Sequence, residues 1–419
     1  MNTALEGWDN IDFGNLVVLI RNGFSGKQVG WITEYPVTRI ETISNGMIDP
    51  TKVGYVEKIP DSYLLKAGDI LFSNINSLKH IGKAAQVKNG TYLFHGMNLL
   101  VFRSSDDIDV NFLFFKLIEA KPWFEKMATQ AVNQASINQT TIKELQLHIP
   151  ASKPEQSKIA EVLSKVDQAI EQTESLIAKQ QRIKTGLMQD LLTRGIDEHG
   201  NLRSEETHVF KDSPLGRIPV EWEVTNLKSV SEVNQGLQIA IDKRFKSEGP
   251  NRYRYITIQY LNNPEKNTEY IENPSTNLVC KKDDILFTRT GNTGQIVTDN
   301  EGVFHNNFFK ISFDKKKINR GFLVTFLCWN PIQELIAERA GTTTIPDLNH
   351  GDFYSLPLLL PDIDEQKNIQ SFLSKQTALF NTEIDNLKKL RSLKAALMQD
   401  LLTGKKRVTP LMKNMGVRS

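Results

Sequence analysis

Two acids and a lysine stand together at Pro361-Asp362 and Glu365-Gln-Lys367, the side-chain types with which a nuclease holds a metal ion and its water. Their spacing places both acids in one helix cap, which is the wrong geometry for that centre. Three Asn-Pro pairs, beginning at Asn263, Asn273 and Asn330, lack the Pro-aromatic continuation of an amino-methyltransferase site. No Gly-rich phosphate loop ending in Lys-Ser/Thr occurs. The seven histidines are scattered without metal-ligand spacing. The two cysteines, Cys280 and Cys328, are too few for a disulfide framework or a cysteine zinc site. With the parts of an enzyme missing, a binding protein is the better reading.

Recognition chemistry is present instead. Thr288-Arg-Thr-Gly-Asn-Thr-Gly294 is a polar, glycine-rich turn after an apolar strand. Arg and Asn are suited to guanine and adenine edges, and Thr and backbone amides to phosphates. Thr288, Arg289, Thr290, Asn292 and Thr293 are therefore candidate DNA contacts, with an ordinary surface loop as the competing reading. In the first half of the chain the same place holds Ser73-Asn-Ile-Asn-Ser-Leu-Lys79, which offers Ser73, Asn74, Asn76 and Lys79. A second pair of loops, residues 130–138 and 341–349, is rich in Gln, Asn and Thr; it adds Gln134, Thr342 and Thr343, or else forms structural turns. Asn138 and Asn349 belong to the frame shared by the two halves and read as structural. A third pair, residues 21–27 and 234–244, could bring Lys27, Lys243 and Arg244 to phosphates, although exposed basic residues are usually only solvated. A net charge of +2 does not announce a nucleic-acid binder, but the footprint that matters is local.

The elements that must position these loops are duplicated. Residues 187–193 and 397–403 both read LMQDLLT, an offset of 210. The same offset, without a gap, places Glu155-Gln156 on Glu365-Gln366, Ile159 on Ile369 and Leu163 on Leu373. Upstream, residues 68–72 correspond to 283–287 and Trp8 to Trp222 with small shifts. Each copy has a mixed part, residues 7–150 and 219–361, with short β-rich runs punctuated by Gly, Asn and Asp and one or two helix-like runs.

A helix follows each mixed part, opening at Pro154-Glu155-Gln156 and at Asp364-Glu365, where acid suits the positive end of the helix dipole. A 4-3 seam runs Ile159, Leu163, Val166, Ile170, Thr173, Ile177, Gln180, Lys184, Leu187, Leu191. Its counterpart runs Ile369, Leu373, Gln376, Phe380, Glu383, Leu387, Leu390, Lys394, Leu397, Leu401. Such seams want a partner helix, and the economical solution pairs the two antiparallel. Each helix is roughly 39 residues, or about 58 Å long. That length would hold two readers roughly 17 base pairs apart on DNA. The polar seam positions would help fix register. Gly186, matched by Ala396, is either a point of close backbone approach or a tolerated helix glycine. Lys388-Lys389-Leu-Arg391 and Gly404-Lys-Lys-Arg407 read as charged, solvated faces.

Taken together and in this order, these motifs resemble the specificity subunit of type I restriction-modification enzymes, over essentially the whole chain. The carriers are Asp284-Ile-Leu-Phe-Thr-Arg-Thr-Gly-Asn-Thr-Gly294, the passages at residues 145–156 and 356–366, the two LMQDLLT ends, and Ser213-Pro-Leu-Gly-Arg-Ile-Pro-Val-Glu-Trp222. The first copy departs from the Arg-Thr-Gly-Asn wording. The resemblance implies an α/β (α+β) fold: two globular mixed target recognition domains separated by two long antiparallel coiled-coil helices, with an internal pseudo-twofold repeat. The boundaries expected are 1–150, a helical spacer at 151–196, linker and second domain at 197–361, a second spacer at 362–405, and a tail at 406–419. It further implies that double-stranded DNA is read as a bipartite target. Two modification (methyltransferase) subunits would dock on the helices and restriction subunits would join them. Chemistry would belong to those partners, with S-adenosylmethionine, ATP and Mg, and this chain would carry no cofactor, metal or catalytic residue. Helix packing and docking would fall to Ile159, Leu163, Ile170, Ile177, Leu187 and Leu191, and to Ile369, Leu373, Phe380, Leu387, Leu397 and Leu401. A scaffold of coiled coils without DNA readout is the alternative, which the near-neutral charge favours and the divergent polar loops disfavour. Residues 1–13 lack the pattern of a secretory signal and no apolar run is long enough to span a bilayer, so a cytoplasmic protein without membrane contact is expected.

Overall fold

A computed structural model describes residues 6–44, 46–131, 134–341 and 345–413. The chain divides into two compact units, Met1–Ser175 with Asp385–Ser419, and Leu176–Ile384. Both division points fall inside the long helices, Lys153–Thr193 and Ile363–Leu401.

In the first unit a four-stranded antiparallel sheet has the order Ala84–Gln86, Ile70–Phe72, Leu100–Ser104, Val17–Asn22. Its central strands carry the apolar runs Ile70-Leu-Phe72 and Leu100-Val-Phe102, where both faces are covered. Ile70, Phe72, Leu100 and Phe102 face a core shared with the helix Val110–Glu119, while Leu71 and Val101 face a second cluster with Ile43 and Leu93. A two-stranded ribbon pairs Trp8–Asp12 with Gln146–Pro150 and delivers the chain to the first long helix. Ile159, Ala160 and Leu163 of that helix enter the core, and so do Leu401 and Leu402 from the end of the second long helix. Each such leucine contributes roughly 1.5–3 kcal/mol by leaving water. The buried Lys116 ammonium donates to the Leu402 carbonyl at 3.0 Å, satisfying a backbone acceptor at that helix end.

The second unit repeats this plan. Its sheet has the order Ser231–Gln235, Phe308–Phe313, Ile285–Thr288, Ile296–Val297. Ile285, Phe287, Phe309 and Ile311 meet the helices Arg320–Leu327 and Asn330–Ala340, and Leu286 and Phe308 face a smaller cluster. Glu223–Asn226 pairs with Pro357–Leu360 as the ribbon does in the first unit. Ile369 and Leu373 enter this core together with Leu191 and Leu192. The two LMQDLLT segments are therefore core elements, each closing the globular part that its own helix does not follow.

The long helices run antiparallel in each unit. In the first, Lys394 pairs with Asp167 and Arg391 with Glu174, both at 2.6 Å. In the second, the Lys184 ammonium lies 5.7 Å from the Phe380 ring. The seam residues are the sheltered face. Ile159, Leu163, Leu191, Ile369, Leu373 and Leu401 are buried, whereas Ile170, Ile177, Leu187, Phe380, Leu387 and Leu397, which lie away from the globular cores or at their margin, are half-buried. The Thr173 hydroxyl bonds back to the Ala169 carbonyl at 2.8 Å, so it spends its polarity within its own helix. A Cβ on Gly186 would meet open space, which makes it a tolerated helix glycine.

Candidate nucleic-acid interface

The candidate loops are brought together in pairs. In the first unit Ile75–Asn76 pairs with Gln134–Ser136, which pairs in turn with Thr129–Ala131. In the second, Thr290 bridges to Asp347, and the Gly291 amide donates to the Pro346 carbonyl at 3.1 Å. Loops about 60 residues apart thus form one polar edge at the end of each main sheet.

Within that edge the side chains are unequally free. Thr288 is buried, and its hydroxyl is held by the Asn292 carbonyl and the Gln295 amide. Arg289 pairs with Asp347 at 2.7 Å, donates to the Leu348 carbonyl at 3.3 Å, and lies over the Phe309 ring. Thr290 donates to the same Asp347 carboxylate, and Thr293 to the Arg289 and Pro346 carbonyls. These groups fasten the two loops to each other. Asn292 is exposed, its amide joined to the exposed Gln295 at 2.9 Å. In the first unit Ser73 and Asn74 are buried at the base of the edge, Asn76 accepts from the Ser77 amide at 2.7 Å, and Lys79 and Gln134 are exposed. Thr342 and Thr343 lie outside the described residues. Asn138 and Asn349 cap the helices Gln139–Lys143 and His350–Tyr354 with their side chains, which is a structural duty.

Of the third group, Lys27 and Lys243 are exposed and make no ion pair among the described residues. Arg244 is fixed: its guanidinium bonds the Ile239 carbonyl and Glu269, at 2.9 and 3.0 Å, and lies over the Tyr255 ring. Burial would raise the Glu269 carboxyl, but Lys246 and Arg244 bring it below the ordinary carboxylate value.

The acids and lysine near the second helix start have other occupations. Asp362 caps the Asp364 and Glu365 amides, and Lys367 pairs with Asp364 at 2.8 Å. The Glu365 carboxylate is buried and accepts from Arg203, from the Trp222 indole at 3.1 Å and from the Ile196 amide at 2.9 Å. Gly195 has φ +62° there, and a Cβ on it would fall 2.1 Å from that carboxylate. The first unit repeats the clamp: Glu155 receives Arg407 in two bonds of 2.6 and 2.7 Å. Arg407 is therefore no solvated charge, and both glutamates do more than meet a helix dipole. The neighbouring Gln156 and Gln366 accept from the Asp109 and Asn319 amides, at 2.9 and 2.8 Å, where the helices Val110–Glu119 and Arg320–Leu327 begin.

A further repeated pair, Phe94-His95 and Phe304-His305, also lies at the 210 offset. His95 is buried, with Nε2 3.0 Å from the Leu99 carbonyl, and burial lowers its pKa to about 4. His305 is half-buried and borders a polar cavity of about 410 Å³. Among the described residues no group of His, Cys, Asp and Glu could hold a metal ion, and no helix is long and apolar enough to cross a membrane.

The model of the type I restriction modification DNA specificity domain matches residues 7–180 and again 219–395. The putative type I restriction enzyme MjaX specificity subunit of Methanocaldococcus jannaschii is 32% identical, over 96% of this chain and 94% of that protein. The MjaVIII specificity subunit of the same organism is 23% identical, over 97% and 94%. Among solved structures, the S subunit of a type I system from M. genitalium superposes with a TM-score of 0.62 at 16% identity, covering 96% of this chain and 97% of that one. A chain from a study of complex assembly and conformational transition in the type I system gives 0.56 at 14% identity, covering 96% and 99%. At these identities the two structures speak for the fold.

Proposed function

This chain belongs to the type I restriction-modification DNA specificity family, and from that premise we propose that it reads double-stranded DNA as a two-part target, one half-site per unit. The observation that carries this reading is the paired-loop edge, built on one frame twice and furnished with different side chains. Thr129, Gln130, Gln134, Ser136 and Lys79 are exposed in one copy, and Asn292, Gln295 and Asp347 in the other. Unlike edges suit unlike half-sites, whereas identical ones would suit a palindrome. Exposed amides and hydroxyls at these edges are the groups that discriminate bases, and Lys27 and Lys243 are available for phosphates.

The chain works as a recognition subunit, and methyl transfer and cleavage fall to partners that bring S-adenosylmethionine, ATP and Mg. Two copies of a modification subunit dock on the long helices, and restriction subunits join them, in the cytoplasm. Exposed apolar residues support the docking surface. Leu176 and Ile183 are seven residues apart on one helix, as are Phe372 and Leu379 on the other, outside the seam used for pairing. Ile183 has its counterpart in the exposed Leu393, again at an offset of 210. The full chain, with its modification partner, is to be incubated with a pool of random duplexes and the retained DNA sequenced. A motif of two short fixed segments around an unread gap is expected. Retained DNA without a two-part motif would leave a protein-organising scaffold as the better reading.

A further inference from the structure

The polar cavity of the second unit is lined by Arg244, Lys246, Lys266, Glu269, His305 and Asn307, among others. Three cations face one carboxylate, and that carboxylate is spent, bridging Arg244 at 3.0 Å and Lys246 at 2.6 Å. Arg244 is further locked by the Ile239 carbonyl, so it contributes fixed charge. Lys246 remains largely exposed, and Lys266 is exposed with no ion pair among the described residues. His305 Nδ1 accepts the Asn307 amide at 3.1 Å, which leaves the ring proton on Nε2. Burial first, and Arg244 second, hold its pKa below the ordinary value, so the ring is a neutral donor at pH 7. A wall rich in cations and neutral donors, with its acid already neutralised, suits anionic oxygen. The cavity also adjoins the reading edge, because the Asn307 carbonyl takes the Arg289 amide at 2.7 Å.

We propose that this cavity seats a phosphodiester of the DNA backbone, with Lys246 and Lys266 supplying charge and His305 a directed hydrogen bond. The inference rests on the reading of the chain as a DNA-binding subunit, which it deepens. It also makes the units unlike. In the first unit the corresponding His95 is buried and its Nε2 is taken by the Leu99 carbonyl. Backbone anchoring at this histidine thus belongs to the second unit alone.

The test uses the full chain and the duplex recovered from the random pool; failure to recover any motif refutes the DNA reading itself, before this inference is reached. Binding is then measured from 50 to 200 mM salt for the parent, K246Q, K266Q and the double variant. Each lysine removed should lower the slope of log affinity against log salt by about 0.9, changing the parent-to-variant ratio by about 3.5-fold across that range. The recovered base sequence should stay the same. H305F should weaken binding by about tenfold at every sequence, while H305Q, which keeps a donor, should stay within about twofold. Unchanged slopes would overturn the proposal, as would a changed base preference at one position, which would make the cavity a base reader. Inorganic phosphate added at constant ionic strength should compete for the seat and weaken DNA binding by the parent more than by the double variant; an equal effect on both would assign the phosphate to another place and overturn the proposal as well.

Discussion

Changing Glu365 to Gln would probe the clamp at the start of the second long helix. The side chain is 6% exposed and that of Arg203 is 12% exposed, so the pair sits where solvent screens little. Glutamate accepts from both terminal guanidinium nitrogens of Arg203, from Trp222 and from the Ile196 amide. Glutamine has nearly the same shape but turns an NH2 group toward some of these donors and leaves the guanidinium charge unbalanced. Breaking a buried pair from one side costs about 3–5 kcal/mol. Arg203 retains some exposure, so the lower end, about 3 kcal/mol, is expected for the second unit. Denaturant unfolding followed by tryptophan emission senses this unit through Trp222 and Trp329 in its core, together with Trp8, Trp31 and Trp123 of the first unit, whose transition the substitution should leave in place. Adding Arg203→Met to Glu365→Gln removes the stranded charge, so the double variant should be less destabilised than the sum of the single variants by at least about 1 kcal/mol. A loss below about 1 kcal/mol for Glu365→Gln, with no coupling to Arg203, would refute the idea that this carboxylate holds the helix start to the linker.

Two other outcomes are expected. His95 has a folded pKa of about 4 against an ordinary 6.5, so its contribution is complete above pH 6.5 and is lost as pH falls toward 4. That loss should reach about 2 kcal/mol by pH 5 in unfolding of the first unit, and the extra pH dependence should vanish in His95→Gln; an unchanged profile in the variant would show that the ring is hydrated. Seven residues inserted into each long helix, near Thr173 and Glu383, preserve the seam and add about 10 Å. The unread gap recovered from a random duplex pool should lengthen by about three base pairs with both half-sites intact, and altered half-sites would contradict the division of labour.

Much of the frame was legible because duplication wrote it twice. The 210 offset, the 4-3 seams and the antiparallel pairing all follow from local periodicity, which survives without knowledge of tertiary neighbours. The glutamate clamps do not. Arg407 and Arg203 stand 252 and 162 residues from the acids they hold, and no spacing rule links them. Arg289 and Thr290 show a different limit. Their side-chain types suit a base or a phosphate, but an acid 57 or 58 residues downstream competes for the same donors. Types of residue reveal what a loop could bind and leave open whether the loop already binds itself. The Phe-His repeat was visible at the common offset. The unlike fates of its two histidines depend on neighbouring segments that diverged, so the difference appears only in three dimensions.

The shared helix ends bear on how the protein is made. The second unit is one continuous stretch, Leu176–Ile384, and can complete its core as soon as that stretch has left the ribosome. The first unit needs Leu401, Leu402 and Arg407, which are synthesised more than 200 residues after Ser175. Until they arrive, Ile159 and Leu163 lack part of their cover and the buried Glu155 lacks its cation. The earlier-made globular part is therefore the later to mature, and its loop-closure cost is the larger. A chain halted before residue 397 would present a finished second unit beside a first unit with an open, apolar flank, the form most exposed to aggregation and to proteolysis.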